Sequence, residues 1–211
     1  MPSQSDSRRL SRLGVLISGR GSNLQAIIDA IGQARLRATI AVVISNRAGA
    51  AGLDRARAAG IEAMHLGPRA GAGREDYDRA VAEELRRRSV DLVCLAGFMR
   101  LVGAPLLEAF RDRVLNIHPS LLPAFPGLEA QRQALQHGVG ITGATVHLVT
   151  PELDGGPIVL QAAVPVLPDD TVETLSARIL IAEHRIYPEA IEMILDGGWS
   201  IEGRRFVRKR R

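Results

Sequence analysis

Cysteine, lysine, aromatic side chains and long apolar runs are all scarce in this chain of 211 residues. A single cysteine, Cys94, closes no internal disulfide. Its setting, Asp91-Leu-Val-Cys-Leu-Ala96, reads as that of a small buried hydrophobe. No apolar run approaches the roughly 18 residues that a helical membrane span needs. The polar, basic start from Met1 to Arg12 has no apolar segment behind it, so it reads as an unstructured lead-in rather than a secretory signal. A cytoplasmic protein without membrane contact is the expectation. Aromatics make up 3% of residues, which leaves Leu, Ile, Val and Ala to build the core.

Lys209 is the only lysine, so nearly all of the 27 basic positions are arginine. A net charge of +4 raises the question of a nucleic-acid partner. Much of the excess lies at the ends, in Arg8, Arg9 and Arg12 and in Arg204-Arg205-Phe-Val-Arg-Lys-Arg-Arg211. Solvated termini explain that distribution, and no nucleic acid is expected.

What the chain does have is alternation. Leu13 to Ile17, Thr39 to Ile44, Ala63 to Leu66, Asp91 to Ala96 and Arg113 to Ile117 read as short apolar strands. Helical stretches separate them at Ser22 to Ile31, Ala50 to Ala59, Arg74 to Arg88 and Pro105 to Phe110. That rhythm is the signature of βαβ units, whose parallel strands are covered on both faces. Ala144 to Val149 and Ile158 to Val164, joined by a Gly-rich turn, predict an antiparallel extension. Thr171 to Leu195 predicts a long helix and Trp199 to Val207 a short hairpin. The expected fold is α/β: a single Rossmann-like domain with a mostly parallel central sheet, extended by antiparallel strands in its C-terminal half. Its bounds read as a lead-in over 1–12, the domain over 13–195, and a hairpin with basic tail over 196–211.

Ser18-Gly-Arg-Gly-Ser-Asn23 follows the first strand and opens the first helix. Glycines let the backbone turn sharply, and a helix N-terminus offers unpaired N–H groups to an anion. Neither the dinucleotide fingerprint nor the P-loop is matched. Ser22 or Asn23 as a simple helix cap fits equally well.

Leu115-Asn-Ile-His-Pro-Ser-Leu-Leu-Pro123 carries the most chemistry. Asn116 and His118 lie two apart on a strand and so project from one face. Pro119 ends the strand and leaves His118 at its carboxyl edge, where open α/β sheets build ligand crevices. An amide beside an imidazole suits a developing oxyanion. Asp154, in Thr150-Pro-Glu-Leu-Asp-Gly-Gly156, stands at a loop tip. Folded against the strand end, it would raise the pKa of His118 and could carry a proton through a water. His118 and Asp154 also fit plain turn positions, and the residues alone leave both readings open. A hydrolase built on Ser120 lacks the nucleophile elbow, and the histidines at 65, 118, 137, 147 and 184 form no close ligand pair, so no metal is expected.

Asn116-Ile-His-Pro-Ser-Leu-Leu-Pro123, Phe125-Pro-Gly127, Gly143-Ala-Thr-Val-His147 and Asp154-Gly-Gly-Pro157 together resemble the folate-dependent formyltransferases. Ile17-Ser-Gly-Arg-Gly-Ser-Asn-Leu-Gln25 and Glu183-His-Arg-Ile-Tyr-Pro188 are similar to the branch acting on glycinamide ribonucleotide in purine synthesis. The resemblance runs from about Leu13 to Ile194. It implies that a free amine attacks the formyl carbon of 10-formyltetrahydrofolate. Asn116 and protonated His118 would hold the oxyanion, with Asp154 positioning His118 and a water. Gly21, Ser22 and Asn23 match the loop gripping the ribonucleotide phosphate, and Glu183 a substrate contact through ribose hydroxyls. Arg74, Met99, Arg100, Leu101 and Val102 match the folate cleft. So does the loop of Thr150, Pro151, Glu152, Leu153 and Asp154, together with Asn116. Met99, Leu101 and Val102 would supply an apolar slot for the pteridine, and Arg74 and Arg100 would attract glutamate carboxylates. On this view 13–110 is the ribonucleotide half and 111–195 the catalytic and folate half, in a monomer or homodimer.

Two related activities share the same trio. A methionyl-tRNA formyltransferase is expected to carry a further C-terminal domain, and a formyltetrahydrofolate deformylase an added N-terminal one. The length and the glycine loop favour the ribonucleotide enzyme. An RNA-binding module using the arginine-rich tail is the alternative from a different class.

Overall fold

The computed structural model describes residues 9–68, 71 and 73–208. Strands β1 (Ser11–Ile17), β2 (Ala38–Ser45), β3 (Ala63–His65), β4 (Leu92–Leu95) and β5 (Val114–His118) alternate with helices α1 (Ser22–Gly32), α2 (Ala51–Ala58), α3 (Arg74–Arg87) and α4 (Ala104–Ala109). Then come α5 (Ala130–Gln136), β6 (Ile141–Leu148), β7 (Ile158–Pro165), α6 (Val172–Leu195), β8 (Trp199–Glu202) and β9 (Arg205–Arg208). The strands form one sheet in the order β3-β2-β1-β4-β5-β6-β7-β9-β8. The first five are mutually parallel, while β6 runs antiparallel to both β5 and β7. The α/β fold expected from the alternation is the one observed.

Two apolar layers clothe the sheet. Leu13, Val15, Ile17, Leu115 and Ile117 face α1, α2, α5 and α6, whereas Leu16, Val93 and Val114 face α3 and α4. Alternation along β5 therefore puts Asn116 and His118 on the α3/α4 face with Val114. Tyr187 of α6 is fully buried and directs its hydroxyl at the carbonyls of Leu95 (2.9 Å) and Leu115 (3.1 Å), fastening the helix to the ends of β4 and β5.

The sheet order sets the position of the site. From β1 the chain proceeds outward to β2 and β3, whereas β4 and β5 lie on the other side of β1. The switch in chain direction therefore falls between β1 and β4, and open α/β sheets build their ligand crevice above the carboxyl ends of the strands at such a point. The loops leaving those two strands are Ser18 to Gly21 and Ala96 to Gly103.

Three differences from the expected elements have local causes. β1 begins at Ser11, inside the expected lead-in, because Asp91 accepts the Arg12 N–H (2.8 Å) and donates its own N–H to the Arg12 carbonyl (2.7 Å). Arg9 adds an ion pair to the same Asp91 carboxylate. β6 begins at Ile141 rather than Ala144, since Ile141 and Thr142 pair with Pro165 and Val164. Helix α5 was not expected: it is a short Gln-rich segment entered through Glu129 at φ 55°, and only Ala130 and Ala134 on it are buried. Residues 1–8 and 209–211, which hold part of the expected lead-in and basic tail, lie outside the described residues.

Candidate active site

The register between β5 and β6 sets Asn116 opposite His147 and His118 opposite Thr145. Directly paired residues share a face, so His147 comes to lie beside Asn116. Its Nε2 is 3.1 Å from Asn116 Nδ2, and its Nδ1 lies 3.0 Å from the Leu148 carbonyl. A carbonyl only accepts, so Nδ1 carries a proton and neutral His147 receives an N–H from the Asn116 amide. His147 is thus a fourth polar group of the cluster. Its only signal in the sequence was membership of Gly143-Ala-Thr-Val-His147, and its partner became visible through the strand register.

Asp154 reaches the cluster because its loop doubles back over the sheet. Val149 keeps a ladder bond to Val114, and Leu148 donates to the Pro157 carbonyl, so the turn between them is tight. At Gly156 a Cβ would collide with the Leu148 carbonyl oxygen, so only glycine lets the chain pass there. Asp154 itself sits in the left-handed region at φ 49°. Its Oδ2 accepts the Gly127 N–H at 2.8 Å and stands 3.4 Å from His118 Nδ1, with Oδ1 3.6 Å from His147 Nε2. Asn116, His118 and Asp154 are therefore brought together, although Asp154 is 36 residues beyond His118 in the sequence.

The charge state of His118 differs from the expectation. Its Nε2 lies 2.9 Å from the Phe125 carbonyl, which fixes a proton on that nitrogen. Phe125 adopts φ 55°, an unusual conformation for a bulky residue. Burial pushes the imidazole below its ordinary pKa, outweighing the upward pull of the Phe125 carbonyl and of Asp154. Asp154 does favour the imidazolium, but it does not win. Burial acts to raise the pKa of Asp154, yet the neighbouring His147 side chain and the Gly127 N–H together leave it below the usual carboxylate value.

At the β1 end of the crevice, Gly21 at φ 73° caps α1, and a Cβ there would lie 2.7 Å from Gly52 Cα. The first turn of α1 carries no acidic residue and its cap makes no side-chain bond, which leaves its leading amides open to an anion. Ser22 sits at this opening. Asn23 points inward: its Nδ2 donates to Glu183 Oε2 at 2.8 Å, while its buried Oδ1 has no partner among the described residues. Burial raises the Glu183 carboxyl to about 6, against the lowering effect of Asn23. Arg55, for which the sequence held no signal, backs the loop by donating to the Arg20 carbonyl at 2.8 Å.

The other residues attributed to the folate cleft flank the same crevice. Met99 and Leu101 are 58% and 55% exposed, and Val102 leans on the α3/α4 core beside Val149. Arg100 stacks over the Tyr77 ring, 4.7 Å from its centroid. Arg74 opens α3, and Thr150 is half-buried. Pro151, Glu152 and Leu153 are exposed, and Glu152 pairs with Arg204 at 3.6 Å. Among the described residues no group of three or more His, Cys, Asp or Glu is placed to hold a metal ion. No helix among them is long and apolar enough to cross a membrane.

Known proteins resemble this chain in sequence and in fold. A glycinamide ribonucleotide transformylase 1 from Symbiobacterium toebii has a structure similar to this chain at a TM-score of 0.93, with 61% identity over 95% of each chain. The phosphoribosylglycinamide formyltransferase of Escherichia coli (strain K12) is 50% identical over 87% of this chain and 86% of its own length. The human trifunctional purine biosynthetic protein adenosine-3 is 47% identical over 90% of this chain, which spans only 19% of that larger protein. The family model described as formyl transferase matches residues 11–191, and this chain belongs to that family.

Proposed function

We propose that this protein transfers the formyl group of 10-formyltetrahydrofolate to the amine of glycinamide ribonucleotide, giving formylglycinamide ribonucleotide and tetrahydrofolate. The observation that carries this reading is the shared crevice. The N-terminus of α1, free of any side-chain cap and suited to a phosphate, and the Asn116, His118 and Asp154 cluster both lie beyond the carboxyl ends of the parallel strands. A ribonucleotide with its phosphate at Gly21, Ser22 and the Asn23 backbone would lay its ribose against Glu183 and its amine toward β5. A folate entering between Met99 to Val102 and Thr150 to Asp154 would meet that amine from the other side.

In this reading the amine nitrogen forms a bond to the formyl carbon, and the bond from that carbon to folate nitrogen then breaks. Between these steps the former carbonyl oxygen carries a negative charge. One Asn116 N–H is committed to His147, which orients the amide and leaves its second N–H for the oxyanion. His118 joins it by exchanging the Phe125 carbonyl for the same oxygen. As charge develops there, the protonated imidazole is favoured, and Asp154 beside Nδ1 supports it. The amine loses one proton and the folate nitrogen gains one, through a water held by Asp154, so no net proton is consumed.

The test is an absorbance assay of folate product formation with the ribonucleotide as acceptor. Transfer to the acceptor is expected. Hydrolysis of the formyl folate with no acceptor product would overturn the assignment in favour of a deformylase.

A further inference from the structure

The segment from Phe98 to Gly103 leads into α4 without regular structure, yet it holds Met99 and Leu101 exposed and Arg100 stacked over Tyr77. Something other than a ladder must hold it. Two of its amides are taken by side chains from distant elements. The Met99 N–H donates to Ser18 Oγ at 2.8 Å, and the Gly103 N–H donates to Asp78 Oδ2 at 2.7 Å. Ser18 Oγ in turn donates to Asn46 Oδ1 at 2.6 Å, so the hydroxyl is held from both sides. Both acceptor residues are only 2% exposed.

Asp78 is the less expected of the two. It sits on the buried face of α3 beside Tyr77, where an apolar residue would pack without the cost of desolvating a carboxylate. Burial accordingly pushes its carboxyl upward, while the Gly103 amide, Arg74 and Arg100 pull the other way. A buried charge kept on such a face is held for the group it binds, and here that group is the loop.

We propose that Asp78 and Ser18 are positioning residues that pin the two ends of the 98–103 loop, so that the apolar slot is preformed for formyl folate. The inference rests on the functional reading given above. Asp78 touches only the folate side, so its loss should weaken folate recognition and spare the ribonucleotide. Ser18 begins the phosphate loop as well, so it is a strut between the two substrate sites, and its loss should weaken both.

Steady-state kinetics on the full chain, varying each substrate in turn, test this, with tetrahydrofolate and ribonucleotide binding followed by titration calorimetry. Asp78→Ala should raise KM for formyl folate about tenfold or more, the scale of a buried hydrogen bond to a charged group, with KM for the ribonucleotide unchanged. Asp78→Asn keeps an acceptor oxygen and should recover most of the loss. A folded Asp78→Ala enzyme with the wild-type folate KM, or with equal losses for both substrates, overturns the proposal.

Should Asp78→Ala fail to fold, Gly103→Ala decides. Its Cβ would lie 2.7 Å from Asp78 Oδ2, and φ −103° suits alanine, so the carboxylate is displaced without being removed. An unchanged folate KM in that variant also overturns the clamp. If the wild-type chain transfers no formyl group, the functional reading fails, and tetrahydrofolate affinity in the wild type and Asp78→Ala then judges the clamp alone. Equal affinities, or no binding by either, overturn it.

Discussion

At the scale of residues, the proposed chemistry falls on Asn116 and His118, two apart on β5, and the groups around them would set how it runs. His118 has a donor fixed on Nε2 by the Phe125 carbonyl and an anion beside Nδ1. Replacing it with alanine should cut kcat by a factor on the order of 100 or more, since both general acid–base and oxyanion contributions go. Single-turnover measurement on a folded His118→Ala enzyme checks this, and near-normal turnover would remove His118 from the mechanism. Glu183 offers a separate prediction at this scale. Its folded carboxyl titrates near 6, above the ordinary 4.5. Between those values the native state holds more protons than the unfolded one, so stability falls as pH rises through the window. Glu183→Gln cannot ionise, and its amide oxygen still accepts from Asn23. Relative to wild type it should gain on the order of 2 kcal/mol at pH 7.5 and almost nothing at pH 4.5, while binding the ribonucleotide more weakly. Denaturation at the two pH values, with calorimetry of the ligand, measures both effects. An equal gain at both pH values would mean that the buried charge is not what costs stability.

At the scale of elements, loops carry the function and strands aim them. The turn from Val149 to Pro157 delivers Asp154 only because Gly156 passes under the Leu148 carbonyl. Gly156→Ala should therefore lower both stability, by about 2 kcal/mol or more, and turnover. Gly140→Ala is the control, because a Cβ there meets nothing within 4 Å and the residue lies outside the proposed site. Comparable losses in the two variants would show that the close approach is not the reason for glycine at 156. Much of this level was legible beforehand. Leu13-Gly-Val-Leu-Ile17 reads as a buried strand and is one, because continuous apolar runs of that length have nowhere else to go. Helix α5 was not legible, since seven residues with two small buried side chains leave no periodic trace. The start of β6 was not legible either, because its first residues are ordered by pairing with β7 rather than by their own pattern.

Across the whole molecule, residues from both sides of the expected division at residue 110 are drawn toward the same edge of the sheet. Glu183 meets Asn23 from the far end of the chain, and Arg74 and Met99 to Val102 come from the first half. The crevice lies between β1 and β4, so each side of it collects residues from several elements. The basic C-terminus belongs to the hairpin rather than to a free tail as far as Arg208, with β9 paired to β8. Removing charge without removing the strand is therefore the cleaner test of a nucleic-acid role. Arg205→Gln with Arg208→Gln should leave turnover unchanged, and RNA retention on a salt gradient should match the wild type. A wild-type protein that binds RNA with steep salt dependence, lost in this variant, would restore the alternative.

The sequence by itself determined the alternation of strands and helices, the glycine turn that opens α1, and the shared face of Asn116 and His118. Each of these is local, set by side-chain period, backbone freedom or the two-residue repeat of a strand. Only the tertiary structure decided what surrounds them. The β5–β6 register selected His147, the Gly156 passage brought Asp154 within reach, and burial overrode that carboxylate in setting the charge of His118. Those outcomes depend on distances between residues far apart in the chain and on how much water the fold excludes, and neither is written in any short stretch of sequence.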